Sequence, residues 1–379
     1  MLIAQAALVV GGRRHLDLVA DAVTGETLAW PSPIQAGFAS ITARRGTPVC
    51  VVATGDPFFY GIGSLLAREV PPEEMVCLPG VSAFSLAANR LGWALQDCAL
   101  VTLHGRALER IIRHLQPYSR TLALSWDQTT PRRLADLLVR QGFGDARVTV
   151  CEALGGPRER IRSTSARDFD LGDVDPLNLV ALDIQAGQGA RILPLTPGLP
   201  DDWFEHDGQL TKREIRAITL AMLAPRRGEL LWDIGAGSGS VGIEWMLTDP
   251  ANRAIAIERD SIRAGRIARN AASLGVPELS IVEGSAPAAL HGLSRPDAVF
   301  IGGGATHAGV IDAAWAALAS GGRLVVNGIT IETQMELIER FKTLGGGLST
   351  IQISNADPVG AFHGMRPAMQ VTQWRAVKP

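Results

Sequence analysis

The run from Glu229 to Trp245, ELLWDIGAGSGSVGIEW, constrains this chain more than any other stretch. Apolar Leu230, Leu231 and Trp232 read as a buried strand ending in Asp233, and glycines follow at 235, 237 and 239. A helix-compatible stretch continues from Ser240 to Leu247. Glycine alone takes sharp turns and lets a ligand lie against bare backbone, so a strand passes into a helix with no side chain in the way. Twenty-five residues past Asp233 a second strand signal, Ala254 to Ile257, closes in Glu258. A carboxylate there is placed to accept both hydroxyls of a ribose. A nucleoside with a polar tail fits this pattern. A structural turn of a doubly wound sheet is the plainer alternative, but three alternate glycines add backbone entropy that such a turn does not require.

Gly237, Gly239 and Gly242 also satisfy G-x-G-x-x-G, the dinucleotide fingerprint, which alone is a weak signal. The register speaks against it. Asp233 stands just before the first glycine, where a carboxylate repels a pyrophosphate and suits the amino group of S-adenosylmethionine. The D-x-G-x-G-x-G pattern with its closing acid resembles the first two motifs of class I S-adenosylmethionine-dependent methyltransferases, which have a Rossmann-like fold. That resemblance implies Asp233 and the backbone of Gly235, Ala236, Gly237, Ser238 and Gly239 at the methionine end and adenosine, Glu258 at the ribose, and Ser285 and Ala286 around the adenine. Thr211 opens T-K-R-E, a capping box in its own right; the resemblance adds a contact with the cofactor. The loop Ile301 to His307, IGGGATH, lacks the Asn/Asp-Pro-Pro-aromatic cluster of amine-directed methylases and leaves room for a flat macrocycle.

At 379 residues the chain is long enough for two domains. Hydrophobic content of 46% with a net charge of −2 describes a globular protein with no basic footprint for nucleic acid. Leu2 to Val10 is apolar but too short to span a bilayer, and no cleavage site follows it. Cys50, Cys77, Cys98 and Cys151 form no C-x-x-C, so neither a zinc site nor a disulfide framework is indicated. The expectations are a cytoplasmic enzyme with no metal, no membrane segment and no nucleic-acid partner.

Strand signals alternate with helical stretches in both halves. The clearest in the first half are Pro48–Gly55, Met75–Gly80, Thr121–Trp126, Ala146–Leu154 and Leu177–Ile184. Alternating βα units predict a mostly parallel sheet with helices on both faces. Residues 1–188 form one domain on this reading, 208–379 a second, and the proline-bearing, aperiodic stretch 189–207 a linker.

In the first half, TGDPFFYGIGSLLAR (Thr54 to Arg68) and CLPGVSAFSLAANRLG (Cys77 to Gly92) each join an extended run to a helix. Asp56 as N-cap with Pro57 at N1, and Ser82 as a second cap, would serve helix chemistry alone. In this order and spacing, however, the segments resemble the tetrapyrrole (corrin and porphyrin) methylases, an α/β family of unrelated fold that also uses S-adenosylmethionine. Further matches are Gly11–Leu18, Thr102–Arg106 and Cys151–Ile161. Gly55, Asp56, Pro57 and Ser82 are thereby implied at a second cofactor site. With the join Pro197–Ala217 and the order of the modules, the whole chain resembles the two-module, decarboxylating precorrin methyltransferases of aerobic cobalamin synthesis.

The resemblance implies methylation of precorrin-6Y at carbons 5 and 15, with loss of CO2 from the ring C acetate, giving precorrin-8X. Carbon 15 and the decarboxylation would fall to the carboxyl-terminal module, carbon 5 to the amino-terminal one. Members of that family open with a strand and glycine-rich loop; Met1–Gly12 corresponds to the helix and strand after it, so either the start is placed too far downstream, which is the expectation, or this module lacks its first strand and part of its cofactor site. Arg13, Arg14, Arg106, Arg158, Arg160, Lys212, Arg213 and His307 are candidates for the carboxylates of the tetrapyrrole partner. His104 and His307 can move protons at neutral pH, and no spacing selects either as the catalytic group. A homo-oligomer, tetrameric through the carboxyl-terminal module, is implied. The alternatives are another S-adenosylmethionine-dependent methyltransferase acting on RNA or a small molecule, and a non-catalytic tetrapyrrole-binding protein.

Overall fold

A computed structural model describes residues 2–379. Contacts divide the chain into two units, residues up to 105 with 118–188, and 106–117 with 189–379.

In the first unit β1 (Leu8–Gly11) is buried along its length and lies between β2 (Glu26–Ala29) and β3 (Val49–Val51), all parallel. The helix and strand expected over residues 1–12 are Leu2–Gln5 and β1; Met1 lies outside the described residues. A second sheet holds β4 (Cys98–Thr102), β5 (Arg120–Leu124), β6 (Arg147–Glu152), β7 (Arg160–Ser165) and β8 (Asn178–Asp183), in the order β4-β5-β8-β6-β7. Only its β4–β5 pair is parallel, which corrects the mostly parallel sheet expected for this half. The connection after Glu152 explains the difference. Gly155 takes φ +76° and the chain returns at once as β7, so a hairpin stands where a crossover helix was expected. Met75–Gly80 pairs with no strand, and the helix expected from Asp56 begins only at Gly63.

In the second unit β9 (Leu230–Ile234), β10 (Arg253–Glu258), β11 (Ser280–Glu283), β12 (Ala298–Ile301) and β13 (Arg323–Gly328) run parallel. After β14 (Gly347–Ile351) comes a separate hairpin of β15 (Ser354–Val359) and β16 (Phe362–Pro367), then β17 (Val371–Val377). The sheet order is β11-β10-β9-β12-β13-β17-β14, with β17 antiparallel to both neighbours. Every residue of β9 is buried, as a central strand covered on both faces must be. Trp232, Ile234, Val299, Ile301, Val326 and Trp374 build one core layer against the helices Val310–Ala317 and Ile331–Leu344. Strand order reverses at β9, and such a switch point opens a crevice at the carboxyl ends of the strands.

The stretch 189–207, expected as a linker, is irregular but packed. Leu193, Leu199 and Phe204 are buried, and the amides of Gly198 and Leu199 donate to the Glu244 carboxylate at 2.6 and 2.9 Å. Residues 106–117 dock on the same unit through buried Ile111, Ile112 and Leu115. Among the described residues no helix is long and apolar enough to cross a membrane.

Candidate cofactor and substrate site

The glycine run is a chain of left-handed residues: Gly235, Gly237 and Gly239 take φ +67°, +59° and +77°. Space is equally restrictive. A Cβ on Gly235 would lie 2.7 Å from the Gly303 carbonyl oxygen, and one on Gly239 would lie 2.7 Å from Ile267 Cγ2. Backbone therefore meets backbone where the β9 turn abuts the loop after β12, and no L-residue replaces these glycines without strain. Asn270, 1% exposed, braces the turn by donating to the carbonyls of Ser238 (2.9 Å) and Glu205 (3.0 Å).

Above the turn lies a cavity of about 1020 Å3 at the carboxyl ends of β9 to β13. Gly235, Ala236, Gly237, Glu258, Ser285, Ala286, Thr211 and His307 all line it, as do Lys212 and Arg213. The structure thus brings most of the expected carboxyl-terminal site residues together. Ile234, Val241, Ile257 and Phe300 supply apolar wall. Glu258 closes β10 with one oxygen accepting from the Gly237 amide at 2.8 Å and the other from the Asp260 amide at 3.1 Å. Each carboxylate oxygen keeps a second lone pair for a hydroxyl.

Asp233, Ser238 and Gly239 are placed differently. None lines the cavity. Asp233 is 1% exposed beneath the turn, where Oδ2 accepts from the Gly242 amide at 2.9 Å and Oδ1 has no partner among the described residues. Burial raises its carboxyl to about 7, and the nearby Glu258 charge adds to the rise against the Gly242 hydrogen bond. Asp233, expected at the amine of the cofactor, is thus buried beneath the turn and does not line the cavity. Ser238 Oγ is likewise buried without a partner, and Gly239 serves the close packing against Ile267.

Thr211 does not cap a helix. The helix runs Arg213–Leu223 with Lys212 at its N-cap, and the Thr211 carbonyl accepts from Arg216. Arg216 is fully buried, its Nε 2.5 Å from Glu244 Oε1 and its Nη1 3.1 Å from Asp201 Oδ1, with the Phe204 ring 4.8 Å away. This network holds 198–211 against the helices Arg213–Leu223 and Ser240–Thr248, and so sets the cavity lip. Sequence reasoning missed it, and missed Asn327, whose amide donates to Thr219 Oγ1 at 2.9 Å while its oxygen accepts from Gln373 at 2.9 Å. Arg259, Ile353 and Met369 are further unforeseen lining residues.

In the first unit Gly55 takes φ +61° and its turn touches the second expected segment, with the Gly80 amide donating to the Gly55 carbonyl at 3.0 Å. A Cβ on Gly55 would meet Ser82 Cα at 3.2 Å, so Gly55, Asp56, Pro57 and Ser82 gather at one place. Asp56 accepts from the Phe58 amide at 2.8 Å, an Asx turn and not a helix cap. Ser82 does cap its helix, accepting from the Ser85 amide at 3.1 Å. Phe58, Leu78 and Val81 stand exposed in these two segments. Arg14 and His15 both bond Thr54 Oγ1, at 2.9 and 2.5 Å, beside Gly55.

The remaining candidates disperse. Arg160 is held by a fork on Glu152 at 2.8 and 2.9 Å, and Arg158 pairs with Asp175. Burial alone would raise the Glu152 carboxyl, but the bonds from Arg160, Asp175 and Arg162 outweigh it and leave it lowered. These arginines are structural partners of their own unit. Arg13 is exposed, and so is His104, which lies on a turn after β4. Arg106 lies at the opposite sheet edge of the second unit from the cavity.

Two family models match the chain: tetrapyrrole (corrin/porphyrin) methylases over residues 1–170 and the precorrin methyltransferase domain over residues 202–378. A precorrin-6Y C(5,15)-methyltransferase [decarboxylating] of Sinorhizobium is 55% identical over 100% of this chain and 91% of its own length. One of the same name from Mycobacterium tuberculosis is 40% identical over 99% of this chain and 94% of its own. The solved carboxyl-terminal domain of precorrin-6Y C5,15-methyltransferase from Rhodobacter capsulatus is 45% identical, covering 49% of this chain and 100% of that one, with a TM-score of 0.47. With a relative 55% identical over the whole of this chain and 91% of its own length, the chain belongs to the decarboxylating precorrin-6Y C(5,15)-methyltransferases.

Proposed function

We propose that this enzyme methylates precorrin-6Y at carbons 5 and 15 and removes CO2 from its ring C acetate, with S-adenosylmethionine as methyl donor. One observation carries the reading for the second unit: a glycine turn that no side chain could occupy faces a carboxylate at the next strand end, over a buried acid with an unpartnered oxygen. Gly235 to Gly237 hold the nucleoside against backbone, Glu258 takes the ribose hydroxyls, and Ser285 and Ala286 frame the base. Asp233 and Ser238 bias the turn toward a cationic amino acid end from beneath. When bound, the sulfonium supplies an activated methyl group.

The chain's own contribution is placement and charge. The cavity lies at the upper end of the ~300–1,000 Å3 usual for small-molecule sites, so a second ligand has room beside the nucleoside. Asn327, its amide locked by Thr219 and Gln373, presents a fixed wall to that ligand. Lys212, Arg213 and Arg259 at the rim supply cations for carboxylate arms. His307, exposed on the loop after β12, is placed to carry a proton to or from the macrocycle. Holding the meso carbon in line at near-contact distance is worth about 7–11 kcal/mol in favourable intramolecular cases. The conjugated ring itself accepts the electrons released by decarboxylation.

Carbon 5 falls to the first unit, where Gly55, Asp56, Pro57 and Ser82 converge. The second unit assembles with further copies of itself. Ile331, Met335, Ile338 and Phe341 form an exposed apolar stripe along one helix, and the hairpin exposes Val359, Phe362 and Met365. Monomeric surfaces seldom carry such patches without a partner. Four free cysteines suit a reducing cytoplasmic compartment. Mass analysis of the product from precorrin-6Y should show two added methyls and one lost carboxyl. Unchanged precorrin-6Y, bound without any need of S-adenosylmethionine, would point to a carrier.

A further inference from the structure

The second unit has another cleft, of about 440 Å3, at the amino-terminal ends of β9, β10 and β11, the sheet edge opposite the cofactor cavity. Arg106, Arg110 and Arg113 reach it from 106–117 and Arg253 from the start of β10. Four guanidinium groups thus share one small concave space with one lining carboxylate among the described residues, Glu278, while Asp249 acts on Arg113 from nearby.

The cations are unequally satisfied. Glu278 pairs with Arg110 at 2.9 Å. Arg113 is fixed by donating to the carbonyls of Met246 and Leu247, both at 3.2 Å, at the end of a helix. Arg106 and Arg253 make no side-chain hydrogen bond or ion pair among the described residues. The segment that delivers three of the arginines is seated by fit. A Cβ on Gly275, which takes φ +83°, would lie 3.0 Å from Ile112 Cβ and 3.2 Å from the Arg113 amide nitrogen. Crowding is felt locally. Burial and the neighbouring Arg110 lower Arg113, and burial with Arg113 and Arg110 lowers His114 to about 4.

Like charges gathered in a walled cleft focus a positive potential, and guanidinium forks match the planar oxygens of carboxylate and phosphate. We propose that this cleft is a second ligand site, taking a small oxyanion: a phosphate group, or the carboxylate arms of a tetrapyrrole. Arg106 and Arg253 are its free arms, and Arg113 is its fixed floor. Because it opens on the far edge of the sheet, its ligand binds without displacing the methyl donor.

The test uses the full chain with inorganic phosphate as probe, titrated by calorimetry against chloride at matched ionic strength. Phosphate should bind, and should slow amide exchange in 106–113 and 250–255 of the unaltered protein. The double variant Arg106→Gln, Arg253→Gln should weaken binding by about tenfold or more, with circular dichroism and unfolding reporting an intact fold. Uroporphyrin, an octacarboxylate tetrapyrrole, then separates the sources. Displacement of phosphate by uroporphyrin assigns the cleft to carboxylate arms; phosphate binding that uroporphyrin leaves untouched assigns it to a phosphorylated ligand. No binding above the chloride control, together with no protection in 106–113, overturns the site. None of these readouts requires methyl transfer, so their failure is distinct from failure of the proposed reaction.

Discussion

Replacing Asp233 by Asn should make the ligand-free enzyme more stable above neutral pH and a weaker binder of its cofactor. The carboxyl is raised from 3.8 to about 7 by burial. Between those values the folded chain holds a proton that the unfolded chain has released. Stability therefore falls as pH rises from about 4 to 7, the reverse of a paired carboxylate. A rise of roughly three units corresponds to about 4 kcal/mol lost by pH 8. Asn keeps an acceptor for the Gly242 amide, but its NH2 group takes the unpartnered Oδ1 position, which costs about 1–3 kcal/mol. The net gain at pH 8 is then about 1–3 kcal/mol, turning into a loss of similar size at pH 4. Urea unfolding of wild type and Asp233→Asn at several pH values measures it, because the difference cancels every other titrating group. Two curves that run parallel from pH 4 to 8 would refute the buried-charge reasoning. Calorimetry with S-adenosylhomocysteine on the same pair should show weaker binding by the more stable variant, the signature of an acid retained for function against stability.

Other perturbations have equally definite outcomes. Glu244→Ala takes from the fully buried Arg216 its buried carboxylate partner and leaves it Asp201 alone as counter-charge, so thermal or urea unfolding should show a loss of about 3 kcal/mol, the low end for a broken buried pair. Gly235→Ala adds a Cβ 2.7 Å from the Gly303 oxygen at φ +67° and should cost more than the ~1–2 kcal/mol of a left-handed residue alone. Gly228→Ala, at φ +82° with nothing within 4 Å, is the control that should show only that smaller loss and unaltered cofactor binding. Arg160→Ala should destabilise the first unit while leaving the KM for precorrin-6Y unchanged, since its fork is occupied by Glu152.

Where local backbone chemistry decides the structure, the residues were readable in advance. Three alternate glycines with positive φ leave one kind of turn, and a β9 apolar at every position but Asp233 reads as central, so the cofactor half of the second unit was legible. Partners distant in sequence were not. T-K-R-E has every mark of a capping box, yet Arg216 takes the Thr211 carbonyl and the helix starts two residues later. Nothing in the local run shows that Arg216 would be buried, because Glu244 and Asp201 come from other elements. At Asp56 the helix is deferred because the Gly63 amide is drawn to the Pro57 carbonyl at 2.8 Å. The β15–β16 hairpin escaped notice because its strands are exposed on both faces and carry no apolar period. The carboxylate arms of the implied substrate pointed to arginines, but only pairing separates Arg158 and Arg160, spoken for by Asp175 and Glu152, from Arg213 at the cavity.

The most direct measurement is calorimetric titration of the full chain and its Glu258→Ala variant with S-adenosylhomocysteine and, separately, with NADH. A sulfonium-nucleoside site at the β9 turn predicts uptake of the homocysteine compound, weakened at least about tenfold at that site by the loss of the Glu258 carboxylate, and no uptake of NADH. Binding of NADH, or homocysteine-compound binding identical in the two proteins, would contradict it.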